Sequence, residues 1–245
     1  MSASAVARPF AVVTGASRGL GLTISRYLAG EGYDLLLTAR GAETLERSAG
    51  DLRIYGGAIE VEPGDVTDPE HRRTLRDRVA VHGALSLLVN NASELGPSPL
   101  PPLAQIPLPE LERVYRVNVV APVALVQELL PFLERAHGEI VNISSDAAIG
   151  GYTGWGGYGA SKAALDLVTR TLAHELADRG ISAVSVDPGD LRTSMHQAAF
   201  PGEDISDRPL PDVTLPFWAW LLHQDPRAVS GHRFQAQAER WELPA

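Results

Sequence analysis

The run Phe10-Ala-Val-Val-Thr14-Gly-Ala-Ser-Arg-Gly-Leu-Gly21 constrains this chain more than any other. Its apolar, β-branched first half reads as a buried strand, and residues 20–29 continue with helical spacing. Between them stand Gly15, Gly19 and Gly21. One glycine suits a tight turn, a second lets the backbone approach a pyrophosphate, and a third lets helix and strand close up. The helix N-terminus then faces the phosphates. The pattern predicts dinucleotide binding; no Gly-Lys-Ser/Thr follows, so a nucleotide-hydrolysing loop is not supported.

Further strands are expected at residues 33–39, 59–62, 85–89, 139–143 and 182–186. Asp68-Pro69 gives an N-cap and a first-turn proline, opening a helix to about His82. Residues 96–109 hold six of the eighteen prolines and are expected to form a loop. Residues 110–134 have helical periodicity, with Pro122 expected to bend the helix, and residues 158–178 form a strong amphipathic helix. Residues 213–222, which contain Pro216, suit a packed helix or flap. This alternation predicts an α/β fold: one Rossmann-like domain over residues 1–245, a doubly wound parallel sheet with helices on both faces.

Composition excludes several function classes. With no cysteine there is no disulfide, thiolate zinc site or cysteine nucleophile, and a reducing, cytoplasmic setting is expected. A net charge of −9 argues against a nucleic-acid partner. The seven histidines lack metal-ligand spacing, so no metal is assigned. Residues 1–8 are small and polar, without a signal-peptide core, and no apolar run reaches the roughly 18 residues of a membrane span.

The loop Thr14-Gly-x-x-x-Gly-x-Gly21 resembles that of the short-chain dehydrogenase/reductase family, and the likeness extends over almost the whole chain. Asp65-Val66 looks like the family's adenine-contacting pair, Asn90-Asn91-Ala92 like its strand-four motif, and Pro188-Gly189 with Thr193 like its nicotinamide-side segment. With Gly15, Ser17, Arg18, Gly19, Leu20 and Gly21, the residues Asp65, Val66, Asn91, Ala92, Pro188, Gly189 and Thr193, together with Tyr158 and Lys162, are implied to hold the cofactor.

Charge argues for the phosphorylated dinucleotide. The second strand ends Thr38-Ala39-Arg40, without the acid that usually accepts the ribose hydroxyls of NAD. Arg40 and Arg18 instead suit a 2′-phosphate, with charge-assisted hydrogen bonds of about 1.5 to 3 kcal/mol each. NADP(H) is the expected cofactor.

Tyr158 and Lys162 stand four apart near a helix start, so both side chains share a face. A lysine ammonium about 5 Å from a phenol would lower its pKa by ~2 from a usual ~10, bringing it toward neutral pH. Ser145 lies thirteen residues upstream, with Ser144 pleated the other way. The family resemblance implies that Ser145 orients substrate, that Lys162 also binds the nicotinamide ribose, and that Asn118 holds a relay water. It also implies hydride transfer between NADP(H) and a small carbonyl or alcohol substrate, with Tyr158 as acid or base.

Residues 146–157 and the flap, residues 191–215, are expected to frame the substrate, with Tyr152, Trp155 and His196 as wall residues. Two departures stand out. Ser93 follows Asn91-Ala92 where glycine is usual, and His232-Arg-Phe-Gln-Ala-Gln replaces the Asp-Gly-Gly that often closes the last strand. A homodimer or homotetramer is expected, though the atypical end weakens the tetramer inference. The competing reading is a catalytically silent NADP-binding sensor, disfavoured by the intact Ser145, Tyr158, Lys162 and Asn118. An epimerase or dehydratase is disfavoured by length.

Overall fold

The computed structural model describes residues 8–243, so most of the N-terminal stretch read above lies outside the described residues. Seven parallel strands form one sheet in the order β3-β2-β1-β4-β5-β6-β7. They are β1 (Phe10–Thr14), β2 (Asp34–Ala39), β3 (Ile59–Pro63), β4 (Leu87–Asn90), β5 (Glu139–Ile143), β6 (Ser182–Asp187) and β7 (Arg233–Gln235). The order reverses between β1 and β4, and in such sheets the crevice at the reversal, beyond the strand carboxyl ends, takes the ligand.

Two core layers sandwich the sheet. Alternate residues of β1 divide between them: Ala11 and Val13 join the layer holding Ile24 and Leu28, while Phe10 and Val12 join the layer holding Leu125 and Leu129. The first layer is closed by α1 (Gly19–Gly30), α2 (Ala42–Leu52) and, after the short helix α7 (Ser194–Ala199), by α8 (Leu215–Leu221). The second rests on α3 (Pro69–His82), α5 (Ala121–Ala136) and α6 (Gly156–Glu175), and α4 (Leu108–Tyr115) leads toward α5 alongside α6. Fully burying one such leucine contributes about 1.5–3 kcal/mol. Phe217 and Trp218 of α8 are completely enclosed, so residues 213–222 are indeed a packed helix.

Several boundaries differ from the sequence expectation. Tyr33 donates its N–H to Leu28, finishing α1 rather than starting β2, and Leu85 donates to Phe132 across the layer, which delays β4. Leu108 and Pro109 belong to the first turn of α4, where a missing proline N–H costs nothing. The expected helix over residues 110–134 is two helices joined by a π-helical turn, Arg116–Val120, and Pro122 sits just beyond it. A proline at this place can give no N–H to the Asn118 carbonyl four residues back, which accounts for the break in the α-helical ladder. Helix α6 stops at Glu175, three residues early, and a tight turn to Gly180 follows.

The combined α4–α5 run, Leu108–Ala136, is 29 residues long with a mean hydropathy of 1.4 in its most apolar stretch. By length and composition it could cross a membrane, which corrects the expectation that no run is apolar enough. Its inner face, with Leu125, Leu129 and Leu133, is core of the second layer.

Candidate active site

The glycine turn is built as a cradle. Gly15 and Gly19 hold φ of 65° and 56°, the left-handed region. At Gly21 any Cβ would sit 2.4 Å from the Gly15 carbonyl oxygen and 2.5 Å from Asn91 Nδ2. Asn91 makes this closeness permanent: its Nδ2 donates to the carbonyls of Thr14 (2.8 Å) and Gly15 (3.2 Å). Thr14 answers by accepting from the backbone N–H groups of Asn91 and Ala92, both at 2.9 Å, while its hydroxyl donates to Val89. Thr14 thus couples β1 to β4 at the sheet reversal, a role that was not read from its place in the motif.

From this cradle a cleft of about 580 Å³ runs across the strand ends. Every expected cofactor residue lines it: Gly15, Ser17, Arg18, Gly19, Leu20, Gly21, Arg40, Asp65, Val66, Asn91, Ala92, Tyr158, Lys162, Pro188, Gly189 and Thr193. Asp65 is partly committed to its own turn, accepting from the Thr67 N–H and hydroxyl. Partial burial pushes this carboxyl up, but those bonds and the charges of Arg40 and Arg113 outweigh it, so the net pKa is lowered. At the same end Glu94 lies 3.1 Å from Arg113 and 3.8 Å from Arg40.

At the other end Tyr158, Lys162 and Ser145 meet. The Lys162 ammonium lies 5.6 Å from the Tyr158 ring centre and donates to the Ile143 carbonyl at 2.7 Å. Burial pushes Lys162 down to about 8, with Asp166 opposing. Tyr158 departs from expectation: burial pushes its phenol up to about 12, although the Ser93 and Ser145 hydroxyls favour the phenolate. The charges of Asp187 and Asp146 add to the rise that enclosure causes. The phenol of this protein is therefore a stored proton at neutral pH.

Ser145 donates its hydroxyl to Asp146 at 3.0 Å and accepts from the Ala147 N–H at 3.1 Å. Ser144 is buried with its hydroxyl unpartnered. Asn118 lies under the cleft rather than in its wall, wholly buried. Its Nδ2 donates to the Glu94 carbonyl and to Ser161, both at 2.9 Å, and its Oδ1 accepts from Glu94 N and Ser93 Oγ. The side chain is a clamp between the loop after β4 and helix α6. Ser93, the departure from glycine, supplies one jaw of it.

Trp155 and His196 line the cleft as expected, but Tyr152 does not: it is half exposed and turned toward Asp146. The flap contains α7, capped by Thr193, whose hydroxyl accepts from the His196 N–H. The atypical C-terminal run supplies a further anchor. Arg233 donates to the Ser145 carbonyl at 2.8 Å, to Asp187 at 3.0 Å and to Asp166 at 3.1 Å, and Gln237 Nε2 donates to the carbonyls of Pro188 and Asp190.

A family model described as short chain dehydrogenase matches residues 9–204. L-xylo-3-hexulose reductase of Hypocrea jecorina is 34% identical over 220 residues, covering 80% of this chain and 72% of that protein. The uncharacterized oxidoreductase YciK of Escherichia coli is 32% identical over 234 residues, covering 94% and 92%. Among solved structures, a short chain dehydrogenase of Salmonella enterica superposes with a TM-score of 0.88 at 32% identity over 94% of this chain and 96% of its own. One from Shigella flexneri, complexed with NADP, gives 0.87 at 31% over 94% and 97%. The chain belongs to the short-chain dehydrogenase family. It is an oxidoreductase of the class that acts on alcohol and carbonyl groups with a nicotinamide cofactor.

Proposed function

We propose that this protein is an NADP(H)-dependent reductase or dehydrogenase that interconverts a carbonyl and an alcohol, with Tyr158 as general acid and base. The observation that carries the reading is one continuous cleft with the glycine cradle at one end and Tyr158, Lys162 and Ser145 at the other. The cradle fits a dinucleotide, because glycines at 15 and 21 let the turn close tightly on Asn91 and leave the N-terminus of α1 lining the cleft, where it suits a pyrophosphate.

The bound nicotinamide supplies or accepts the hydride. This chain's own residues do the rest. Lys162 and the segment around Gly189 and Thr193 hold the ribose and nicotinamide side, while Ser145 and Tyr158 meet the substrate oxygen. A phenol at about 12 gives its proton to an alkoxide, whose own pKa is higher, and regains it afterwards. Asn118, bonded to both Ser93 and Ser161, fixes the helix that carries Tyr158 and Lys162. The flap at residues 191–215 screens the reacting end of what we read as one domain.

A carbonyl panel assayed with NADPH tests the reading: consumption of NADPH supports it. Failure of every carbonyl and alcohol, with cofactor still bound, would leave the sensor reading in place.

NADP preference is a separate expected result. The end of β2 carries no acid, and Arg18 and Arg40 line that end of the cleft. NADPH should bind about ten- to a hundredfold more tightly than NADH, and Arg40→Asp should erase or reverse the difference. Calorimetric titration of both cofactors checks this, and equal affinities in the parent would refute it.

For assembly we propose a homodimer or homotetramer in the cytoplasm. Leu108, Val120 and Leu167 stand exposed on the α4–α5 run and the adjoining α6, as a self-associating face requires.

A further inference from the structure

The substrate end of the cleft combines an apolar wall with a carboxylate that no cation answers. Leu95, Trp155, Met195 and Ala198 line it. The Trp155 ring meets Tyr158 edge-on at 5.8 Å and Phe200 at 6.0 Å, so the wall continues straight from the reacting phenol. Charged groups around this end are mostly paired. Asp187 is held by Arg233 at 3.0 Å, and Asp190 faces Arg208 at 3.5 Å and His196 at 3.8 Å.

Asp146 differs. It lines the cleft next to Ser145 and has no ion-pair partner among the described residues. Its Oδ1 accepts from the Ser145 hydroxyl at 3.0 Å and from the Ala147 N–H at 2.8 Å, which fixes the carboxylate beside the substrate oxygen's place.

We propose that Asp146 makes this a site for uncharged carbonyl compounds with an apolar or aromatic body, and that it excludes those carrying an anion next to the reacting carbon. The proposal rests on the hydride-transfer reading above. In the reaction the carbonyl carbon gains hydride as NADPH becomes NADP+, and the oxygen gains the Tyr158 proton. An α-carboxylate on the substrate would sit beside Asp146 while its body occupied the apolar wall. Two carboxylates about 5 Å apart in a partly solvated cleft disfavour binding by roughly tenfold, and the effect shrinks as salt rises.

The test uses a matched pair, methyl benzoylformate and benzoylformate, which present the same aryl ketone with and without a negative charge. With NADPH at low salt, the parent should reduce the ester with the higher kcat/KM. Asp146→Asn, the isosteric neutral variant, should lower the ester-to-acid ratio by about tenfold, and the parent's ratio should fall with added salt. An acid reduced as well as the ester by the parent, or a ratio unmoved by Asp146→Asn, overturns the proposal. If neither these ketones nor any other carbonyl or alcohol of the panel turns over, the hydride-transfer reading is what fails. The same comparison is then read by calorimetry with methyl mandelate and mandelate on the NADPH-loaded protein, where equal preference in parent and Asp146→Asn overturns the proposal.

Discussion

Tyr158→Phe should lower kcat for carbonyl reduction by about a thousandfold or more while leaving NADPH binding within a few-fold of the parent. The phenol stands at the reacting end of the cleft to deliver the proton, while Lys162 is anchored on the Ile143 carbonyl and Ser145, bonded to Asp146, orients the substrate oxygen rather than protonating it. Removing its oxygen deletes both the acid and the hydrogen bond that meets the developing alkoxide. Binding should persist because the glycine cradle and Arg40 stand at the other end of the cleft. Reduction by the parent should hold through neutral pH, since a phenol at about 12 stays protonated. It should fall as Lys162, held at about 8, loses its charge. Steady-state kinetics from pH 6 to pH 10, beside a cofactor titration of both proteins, give the answer; comparable kcat in parent and variant would rule out the phenol as acid.

How far such a site is legible in sequence depends on whether its parts are neighbours along the chain. The glycine turn, Tyr158 with Lys162, and Asn91 with Ala92 are local patterns, and each lines the cleft as read. The parallel sheet follows from apolar strands alternating with helices, though helix α2 is faint in the sequence, with only Leu45, Ala49 and Leu52 at helical spacing on its buried face. Polar residues and Gly50 diluted that signal. The π-helical turn was visible only as Pro122, because a change of hydrogen-bond register leaves no compositional mark. Tyr152 belongs to the loop expected to frame the substrate, but its side chain stands half exposed on the far side of Asp146, outside the cleft lining. Burial also reversed the expected direction of the Tyr158 shift, and enclosure of a side chain is a property of the fold that spacing does not reveal.

Far from the cleft, Glu139→Gln should stabilise the protein in a pH-dependent way. Glu139 opens β5 at the opposite end of the strands, 7% exposed, and its Oε1 has no partner. Its register neighbour on β6 is Ser182, whose hydroxyl is also unpartnered. Burial pushes the carboxyl up to about 8. In the unfolded chain the group titrates near ~4.3, so between these values the folded state binds the extra proton. Stability is therefore lost as pH rises from about 4.5 toward 8, and the loss is complete above 8. The cost at neutral pH is on the order of 3 kcal/mol, which the neutral glutamine avoids. Urea unfolding at pH 5, 7 and 9 should show parent and variant close together at pH 5 and separated at pH 7 and 9. A gap that does not change with pH would show that Glu139 is not the titrating group.

Arg233 reaches back from the outermost strand to Ser145, Asp166 and Asp187, residues that lie 46 to 88 positions away in the chain. The edge of the sheet is thus wired to the reaction centre. Anyone exchanging the last strand for one from a relative with a different ending would strand two enclosed acids without their cation. Positions 166, 187 and 233 would have to be redesigned together, as one electrostatic unit.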